Sequence, residues 1–355
     1  MWSGCRLTAW TSREGLANAT VRRFSQFARN DGSVYTGVSM KVRTKIITGA
    51  LITVVLLLGG GVAANWAPDK PLSALAARWA PPPSTFVSIL GMQVHLRDEG
   101  PRENPTPIVL IHGTSASLRT WEGWVAALKD DRRVITFDLP GFGLTGPSPD
   151  GDYTIAAYVR FVGALLDKVG VKRCVLGGNS LGGNIAWATA HAMPDRVYML
   201  VLVDSGGYPF VSSSVPIGFR IAQIPGVNHF LEYVTPRSLV AASVRNVYGD
   251  PSKVTPALVD RYFDMTVRAG NRHALVQRFL QSDFGADVIM IAELKLPTLI
   301  VWGSRDRLIP LDYAERFHRD IAGSTMVVFP DLGHVPHEED PVRTVAAVID
   351  FLRSK

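Results

Sequence analysis

The chain has 355 residues, of which 47% are hydrophobic and 19% charged, so it can hold one large catalytic domain and additional segments. The whole formal net charge of +6 lies in residues 1–45, where eight Lys/Arg accompany two acidic residues. The other 310 residues carry 29 charges of each sign, so the positive net charge gives no support to nucleic-acid binding by the globular part. The two cysteines, Cys5 and Cys174, are too few for a disulfide framework.

Residues 46–64 form an uncharged, apolar segment that is just long enough to cross a bilayer as a helix. Lys41, Arg43 and Lys45 precede it, and no comparable basic cluster follows it. The positive-inside rule therefore predicts a single-pass membrane anchor, with the rest of the chain on the extracytoplasmic side.

An alternative interpretation starts the protein at Met40 and makes 46–64 the apolar part of a cleaved signal peptide. Whether the segment is cleaved, and whether Met1 or Met40 is the true start, stay open. Residues 1–45 are basic and rich in Ser and Thr, which predicts disorder. Residues 65–84 are interrupted by prolines and are predicted to form a linker.

From residue 85 onward, short apolar runs alternate with stretches of helical periodicity, which predicts a mostly parallel, doubly wound sheet covered on both faces. Residues 206–293 break this alternation with a proline-interrupted helical pattern, so we expect a helical cap between core parts 85–205 and 294–355. The predicted strands are 85–90, 93–97, 107–111, 133–137, 174–177, 197–204, 297–303 and 325–329.

The central motif is Gly178-Asn179-Ser180-Leu181-Gly182, which fits the pattern G-x-S-x-G between a predicted strand and a predicted helix. In this pattern the serine occupies a strained turn, and the glycines allow the backbone to pass close to its neighbours. The turn would place the hydroxyl of Ser180 at a helix N-terminus, where backbone N–H groups can stabilise an oxyanion. The motif therefore predicts a serine nucleophile.

Together with this motif, four further stretches resemble the α/β-hydrolase superfamily, in the branch with a helical cap after the sixth strand. They are His112-Gly113-Thr114, Asp138-Leu139-Pro140-Gly141-Phe142-Gly143, Trp302-Gly303-Ser304-Arg305-Asp306 and Asp331-Leu332-Gly333-His334. The resemblance covers residues 85–355. It implies a catalytic triad of Ser180, Asp306 and His334, and an oxyanion hole formed by the backbone N–H groups of Leu181 and Thr114.

Several site assignments have alternatives. Asp204 competes with Asp306 as the acid, because relatives sometimes place the acid after the preceding strand. His337 competes with His334 as the base but is expected to be solvated. Ser115 competes with Thr114 in the oxyanion hole, since a backbone donor leaves no side-chain signal. No spaced His/Cys/Asp cluster and no dinucleotide-binding pattern occurs, so we expect neither a metal nor a cofactor.

A serine nucleophile argues against relatives that use a carboxylate nucleophile. We expect a membrane-anchored carboxylesterase or lipase acting on a small apolar ester. The alternatives are a hydrolase of carbon–carbon bonds in ring-cleavage products and a non-catalytic binding domain. The first of these would need a carboxylate anchor, for which Arg220, Arg237, Arg245 and Arg268 are candidates.

The cap is rich in apolar residues that are expected to line the substrate pocket: Phe210, Phe219, Ile221, Ile224, Phe230, Leu231, Tyr233 and Val234. Most of them are nevertheless expected to form the cap's own core. The natural substrate, its acyl length and the oligomeric state stay open at this level.

Overall fold

The structure is a computed structural model that describes residues 40–103, 106–283, 285 and 287–355, without the side chains of residues 58 and 231. The chain divides into two compact units, Met1–Ala64 and Asn65–Lys355. The predicted disorder of 1–45 falls mainly on residues 1–39, which lie outside the described residues.

The first unit contains one long apolar helix, α1 (Met40–Ala64). It begins six residues before the predicted segment, so the basic residues from Lys41 to Lys45 form its first turns. Its most apolar window has a mean hydropathy of 2.3. At about 1.5 Å per residue, 25 residues span about 37 Å, so by length and composition the helix is able to cross a membrane.

The second unit begins with a segment that is tied to the helices inserted between the sixth and seventh strands. This segment contains helix α2 (Leu72–Trp79). Lys70 forms an ion pair with Asp264 at 2.7 Å, and the indole N–H of Trp79 donates to the same carboxylate at 2.8 Å. Residues 65–84, which the sequence predicts to be a linker, thus have a defined place on the second unit.

The second unit is built on an eight-stranded sheet with the order β1-β2-β4-β3-β5-β6-β7-β8. Strands β1 and β2 are antiparallel to their neighbours, and β3 to β8 pair in parallel. The strands are β1 Thr85–Ile89, β2 Met92–Glu99, β3 Ile108–Ile111, β4 Val134–Phe137, β5 Cys174–Asn179, β6 Val197–Val203, β7 Thr298–Gly303 and β8 Thr325–Phe329. This arrangement confirms the predicted α/β-hydrolase fold.

The central strands are mostly apolar and are buried along their whole length because helices cover both faces of the sheet. Every residue of β3, β4, β5 and β7 is buried. The helices that follow α2 are α3 Glu122–Leu128, α4 Ile155–Lys168, α5 Leu181–Ala192, α6 Ile217–Ala222, α7 Val227–Leu231, α8 Arg237–Val247, α9 Pro256–Thr266, α10 Asn271–Leu280, α11 Val288–Ile291, α12 Asp312–Asp320, α13 Pro336–Glu339 and α14 Pro341–Arg353.

Strand register places the loops that carry the predicted site residues at one edge of the sheet. Ile111 pairs with Gly178, and Asn179 pairs with Val203. The carboxyl ends of β3, β5 and β6 therefore coincide, and β7 ends beside them. Helices α6 to α11 lie between β6 and β7 in the chain and form the cap, as the break in the alternating pattern predicted.

Candidate active site

Ser180 lies on the sharp turn between β5 and α5, with φ of 56° and ψ of −117°. This backbone conformation is rare for a residue with a side chain. A Cβ on Gly178 would overlap the backbone of Gly182, and a Cβ on Gly182 would overlap the backbone of Ile111. Both glycines are thus required by close backbone contacts, and the turn holds the Ser180 hydroxyl at the N-terminus of α5.

His334 and Asp306 form a buried hydrogen-bonded pair at the same edge of the sheet. Nδ1 of His334 lies 2.7 Å from Oδ2 of Asp306. The other carboxylate oxygen, Oδ1, accepts the backbone N–H groups of Leu308 at 2.7 Å and Ile309 at 3.0 Å. Because the carboxylate is fixed on both oxygens, it holds the imidazole in one orientation. Ser180 and His334 line the same cavity, and Nε2 is the ring nitrogen left for proton exchange.

Asp204, the alternative acid, lies beside this pair but makes its hydrogen bond elsewhere. Its Oδ1 accepts the backbone N–H of Gly303 at 3.1 Å, and its Oδ2 has no hydrogen-bond partner among the described residues. Burial, followed by the negative charge of Asp306, raises the pKa of Asp204 well above its ordinary value. Asp306, and not Asp204, therefore makes the contact with His334. The raised pKa favours the protonated form of Asp204.

The three side chains also lie close enough to share a metal ion. One potential ligand atom each of Asp204, Asp306 and His334 falls within 4.8 Å of the others. Metal ligands have to be deprotonated, whereas the raised pKa of Asp204 favours its neutral form. Asp306 already accepts three hydrogen bonds. This donor set fits a hydrogen-bonded acid–base pair better than a metal centre.

The backbone of His334 is held from two sides. Its N–H donates to the carbonyl of Val247, the last residue of α8 in the cap, at 2.8 Å. Its carbonyl accepts the side-chain N–H of Asn179 at 2.9 Å, and the same amide nitrogen donates to Val203 at 3.1 Å. In the sequence pattern G-x-S-x-G, Asn179 is only the first variable position. Its role depends on a partner 155 residues away, which no local pattern signals.

Glu339 is a second positioning residue that the sequence did not reveal. Its Oε2 accepts the backbone N–H groups of Gly333 and Gly249, both at 2.9 Å, and its Oε1 accepts that of Asp250 at 2.8 Å. Three donors satisfy this buried carboxylate and join the histidine loop to the cap. In the sequence, Glu338 and Glu339 have the pattern of an ordinary solvated acidic pair.

The loop that carries Thr114 is shaped by His112 and Gly113. Nδ1 of His112 donates to the carbonyl of Gly113 at 2.7 Å, and Nε2 accepts a backbone N–H from the loop after β4 at 3.0 Å. Burial lowers the pKa of His112, which matches a neutral ring in this pair of contacts. A Cβ on Gly113 would lie 3.1 Å from the Cβ of Ser180, so the loop passes against the serine. Thr114 and Leu181, the predicted oxyanion donors, border a shared cavity beside Ser180.

The expectation that His337 is solvated is wrong. Its side chain is fully buried, and its ring packs on Trp121 with a centroid distance of 4.0 Å. Neither ring nitrogen has a hydrogen-bond partner among the described residues. Burial, followed by the positive charges of His334 and Arg261, lowers its pKa well below the ordinary value. His337 is therefore a neutral packing residue, because the aromatic surface of α3 and the preceding turn covers it.

Two cavities meet at Ser180. The apolar cavity has a volume of about 120 Å³ and reaches His334. Helices α8 and α10 contribute six aliphatic side chains to its wall, namely Leu239, Val240, Val244, Val247, Leu275 and Val276. The second cavity has a volume of about 310 Å³ and extends from Ser180 and Leu181 towards Arg278 and Ser282.

Two of the apolar cap residues named from the sequence line the cavities, and several of the others are exposed rather than packed in a core of the cap. Of the eight apolar residues expected there, Phe219 lines both cavities and Phe210 lines the second. Ile224, Phe230 and Tyr233 are instead 47%, 49% and 55% exposed. Helices α6 and α7 have only six and five residues, whereas α8 and α10 have eleven and ten and present the longer inward faces.

The four arginines considered as carboxylate anchors, Arg220, Arg237, Arg245 and Arg268, line neither cavity. The arginines that do so are Arg272 in the apolar cavity and Arg278 in the second. Arg272 forms an ion pair with Asp69 at 2.6 Å. Nothing in the sequence distinguishes these two arginines from the others. Which side chains of α10 face a cavity depends on how the helix is rotated against the core.

Comparison with known proteins agrees with this architecture. Residues 106–341 match the family described as alpha/beta hydrolase fold. The chain is 31% identical over 283 residues to the 2-hydroxy-6-oxononadienedioate/2-hydroxy-6-oxononatrienedioate hydrolase 2 of Pseudomonas putida, covering 74% of this chain and 93% of that protein.

Solved structures give the same result. A thermophilic esterase from Thermogutta terrifontis is 26% identical, with a TM-score of 0.63 and coverage of 76% of this chain and 97% of the esterase. A bacterial membrane phospholipase A is 22% identical, with a TM-score of 0.64 and coverage of 88% and 98%, a likeness of fold alone. With the family match extending over more than half of its length, the chain belongs to the alpha/beta hydrolase fold family.

Proposed function

We propose that this protein is a serine hydrolase that cleaves carboxylic esters of apolar acyl groups through an acyl-enzyme intermediate. One observation carries the proposal: Ser180 on its strained turn lines one apolar cavity together with His334, which is hydrogen-bonded to Asp306. Such a nucleophile, base and orienting acid are the parts that acyl transfer requires.

In the proposed mechanism, Oγ of Ser180 attacks the acyl carbon while Nε2 of His334 takes the hydroxyl proton. Asp306 keeps the other proton of the imidazole on Nδ1 and stabilises the charged ring. The carbonyl oxygen becomes an oxyanion that accepts hydrogen bonds from the backbone N–H groups of Leu181 and Thr114. The intermediate then expels the alcohol with a proton from His334. Water attacks the acyl-enzyme with His334 again acting as base. The second intermediate then breaks its bond to Oγ of Ser180, which takes the proton back from His334, and the carboxylic acid leaves.

A fluorophosphonate tests the nucleophile and separates this proposal from a non-catalytic binding domain. We expect one covalent label per chain, on Ser180, and none in Ser180→Ala. The variant should keep the melting temperature of the parent while its turnover of esters falls by about 10⁴-fold or more. Substantial ester hydrolysis by the folded variant would remove Ser180 from the mechanism.

A chain-length series tests the apolar substrate class. Each methylene buried in the apolar cavity contributes about 0.8 kcal/mol, or about fourfold in kcat/KM, until the space is filled. Ala222→Leu enlarges a buried wall residue of this cavity and should shift the optimum to shorter 4-nitrophenyl esters. Ala156→Leu makes the same change at an exposed position on α4 and should leave the optimum in place. An optimum that is insensitive to Ala222→Leu would contradict the assignment of the cavity.

A carbon–carbon bond hydrolase is the alternative, and the relative from Pseudomonas putida supports it. Such an enzyme would cleave a vinylogous diketone from ring cleavage much faster than any simple ester. Measuring both substrate types on the same preparation decides between the two. A flat ester series together with fast diketone cleavage would replace the esterase proposal.

We also propose that α1 anchors the protein in a membrane and that the hydrolase unit lies on the extracytoplasmic side. The support is the length of the helix, its hydropathy and the basic residues in its first turns. The full chain should sediment with membranes, and protease added outside spheroplasts should digest the hydrolase unit. A mature protein that begins at Asn65 would show cleavage and secretion instead.

A further inference from the structure

Arg278 is a buried arginine without a carboxylate partner in the described part of the chain. It lies on α10 and is 6% exposed. Its Nη1 donates to Oγ of Ser282 at 2.6 Å, and its Nε has no hydrogen-bond partner among the described residues. A guanidinium has five N–H donors, so most of its capacity is unused here. Burial lowers the pKa of Arg278, because the interior solvates its charge poorly.

The other two buried arginines of the described residues have acidic partners. Arg133 binds Asp98 at 2.8 Å, and Arg272 binds Asp69 at 2.6 Å. A buried charge is costly unless it is paired, because the protein interior solvates it poorly. Arg278 therefore differs from the arginines whose role is to hold the fold together, and its position points to a partner that comes from outside the chain.

The second cavity shows where that partner would lie. It runs from Ser180 and Leu181 to Arg278 and Ser282, and Arg278 is its one charged lining residue among the described residues. Because the cavity shares Ser180 with the apolar cavity, a substrate held at the serine can extend into both. A single positive charge in an otherwise uncharged wall matches a group with one negative charge.

We propose that Arg278 binds a carboxylate of the substrate in the second cavity. The preferred substrate is then an ester with an apolar part in one cavity and a carboxylate in the other. This inference rests on the proposed ester hydrolysis at Ser180. The planar fork of Arg278 suits a carboxylate, which it can bind through two parallel hydrogen bonds. The carboxylate can belong to the acyl part or to the alcohol part of the ester.

Three esters test the proposal and distinguish these sources. Phenyl butyrate is neutral, monophenyl glutarate carries a carboxylate on its acyl part, and 4-carboxyphenyl butyrate carries one on its alcohol part. In Arg278→Met, kcat/KM should fall by about 10- to 100-fold more for one of the carboxylated esters than for phenyl butyrate. The ester that responds identifies the part of the substrate that lies in the second cavity.

Two further variants complete the comparison. Arg278→Lys keeps the positive charge and should retain part of the preference for the carboxylated ester. Arg220→Met removes an exposed arginine of the cap that lines neither cavity, and it should change all three reactions equally. Equal losses for the three esters in Arg278→Met would overturn the proposal.

A binding measurement keeps this test independent of ester hydrolysis. Hexanoate should raise the melting temperature of the parent and of Arg220→Met more than 1-hexanol does, and this difference should disappear in Arg278→Met. Without ligand, Arg278→Met should melt at the same temperature as the parent or higher, since it removes an unpaired buried charge. A large drop in melting temperature, or an unchanged effect of hexanoate, would make Arg278 a structural residue. If the parent hydrolyses none of the esters but passes this binding test, the proposed ester hydrolysis is refuted and the proposed carboxylate site at Arg278 is retained.

Discussion

Replacing Asp306 and Asp204 separately by asparagine provides a sharp test of the acid assignment, because both changes are nearly isosteric. In Asp306→Asn, the amide oxygen can still accept the backbone N–H groups of Leu308 and Ile309. The amide N–H₂ then faces Nδ1 of His334, where the carboxylate stood. The imidazole has to present Nδ1 as an acceptor and carry its proton on Nε2, so it cannot take the proton of Ser180.

The expected size of the effect follows from this change of tautomer. Loss of the correct tautomer and of the stabilising charge costs about 10⁴-fold in kcat in a serine–histidine–aspartate site. This corresponds to about 5.4 kcal/mol of transition-state stabilisation. Asp204→Asn should cost less than about tenfold, because the raised pKa of Asp204 already favours a neutral group there. An asparagine at 204 can still accept the backbone N–H of Gly303.

The assay is kcat and KM for a 4-nitrophenyl ester across pH 5 to 9, with the melting temperature of each variant as the control for folding. We expect Asp306→Asn to lose kcat with little change in KM, since the carboxylate does not contact the substrate. If Asp204→Asn is the more damaging change while both variants stay folded, the assignment of the acid is wrong.

Two predictions concern stability. His337 is held neutral in the folded protein, so below its ordinary pKa of about 6.5 only the unfolded chain takes up the proton, and the free energy of unfolding falls as pH falls. The contribution of His337 to this fall reaches at most about 2 kcal/mol between pH 6.5 and 5.0. Urea unfolding at pH 7.5 and 5.0 should therefore show a smaller fall in the free energy of unfolding for His337→Phe than for the parent. Equal falls would contradict this. A chain that begins at Asn65 should melt at a higher temperature than one that begins at Pro83, because the second lacks the contacts of Lys70 and Trp79 with Asp264. Equal melting temperatures would show that these contacts do not stabilise the unit.

Much of the fold could be predicted because its signals are local. The strand Ile108–Ile111 is apolar at every position since helices cover both faces, and the glycines around Ser180 are required by the backbone within the same turn. The bounds of α1 were predicted less well. The basic residues before 46 are compatible with a helix, and nothing in the sequence marks its first turn.

The site residues could be predicted only where each one lies in the loop directly after a strand that is itself recognisable in the sequence. Asp306 and His334 are 28 residues apart in adjacent loops, and they lie together as expected. The burial of His337, the contact of Asn179 with the histidine loop and the place of Arg278 in a cavity depend on packing between distant segments. A single sequence carries no periodic or spacing signal for such contacts.

The hydrogen bond from the His334 N–H to the Val247 carbonyl joins the catalytic base to the cap. Val247 is the last residue of α8, and it also lines the apolar cavity. One helix end therefore shapes the substrate space and fixes the backbone of the base. A mutation that displaces the end of α8 is expected to change substrate preference and the alignment of His334 together, so the two effects cannot be tuned independently at this position.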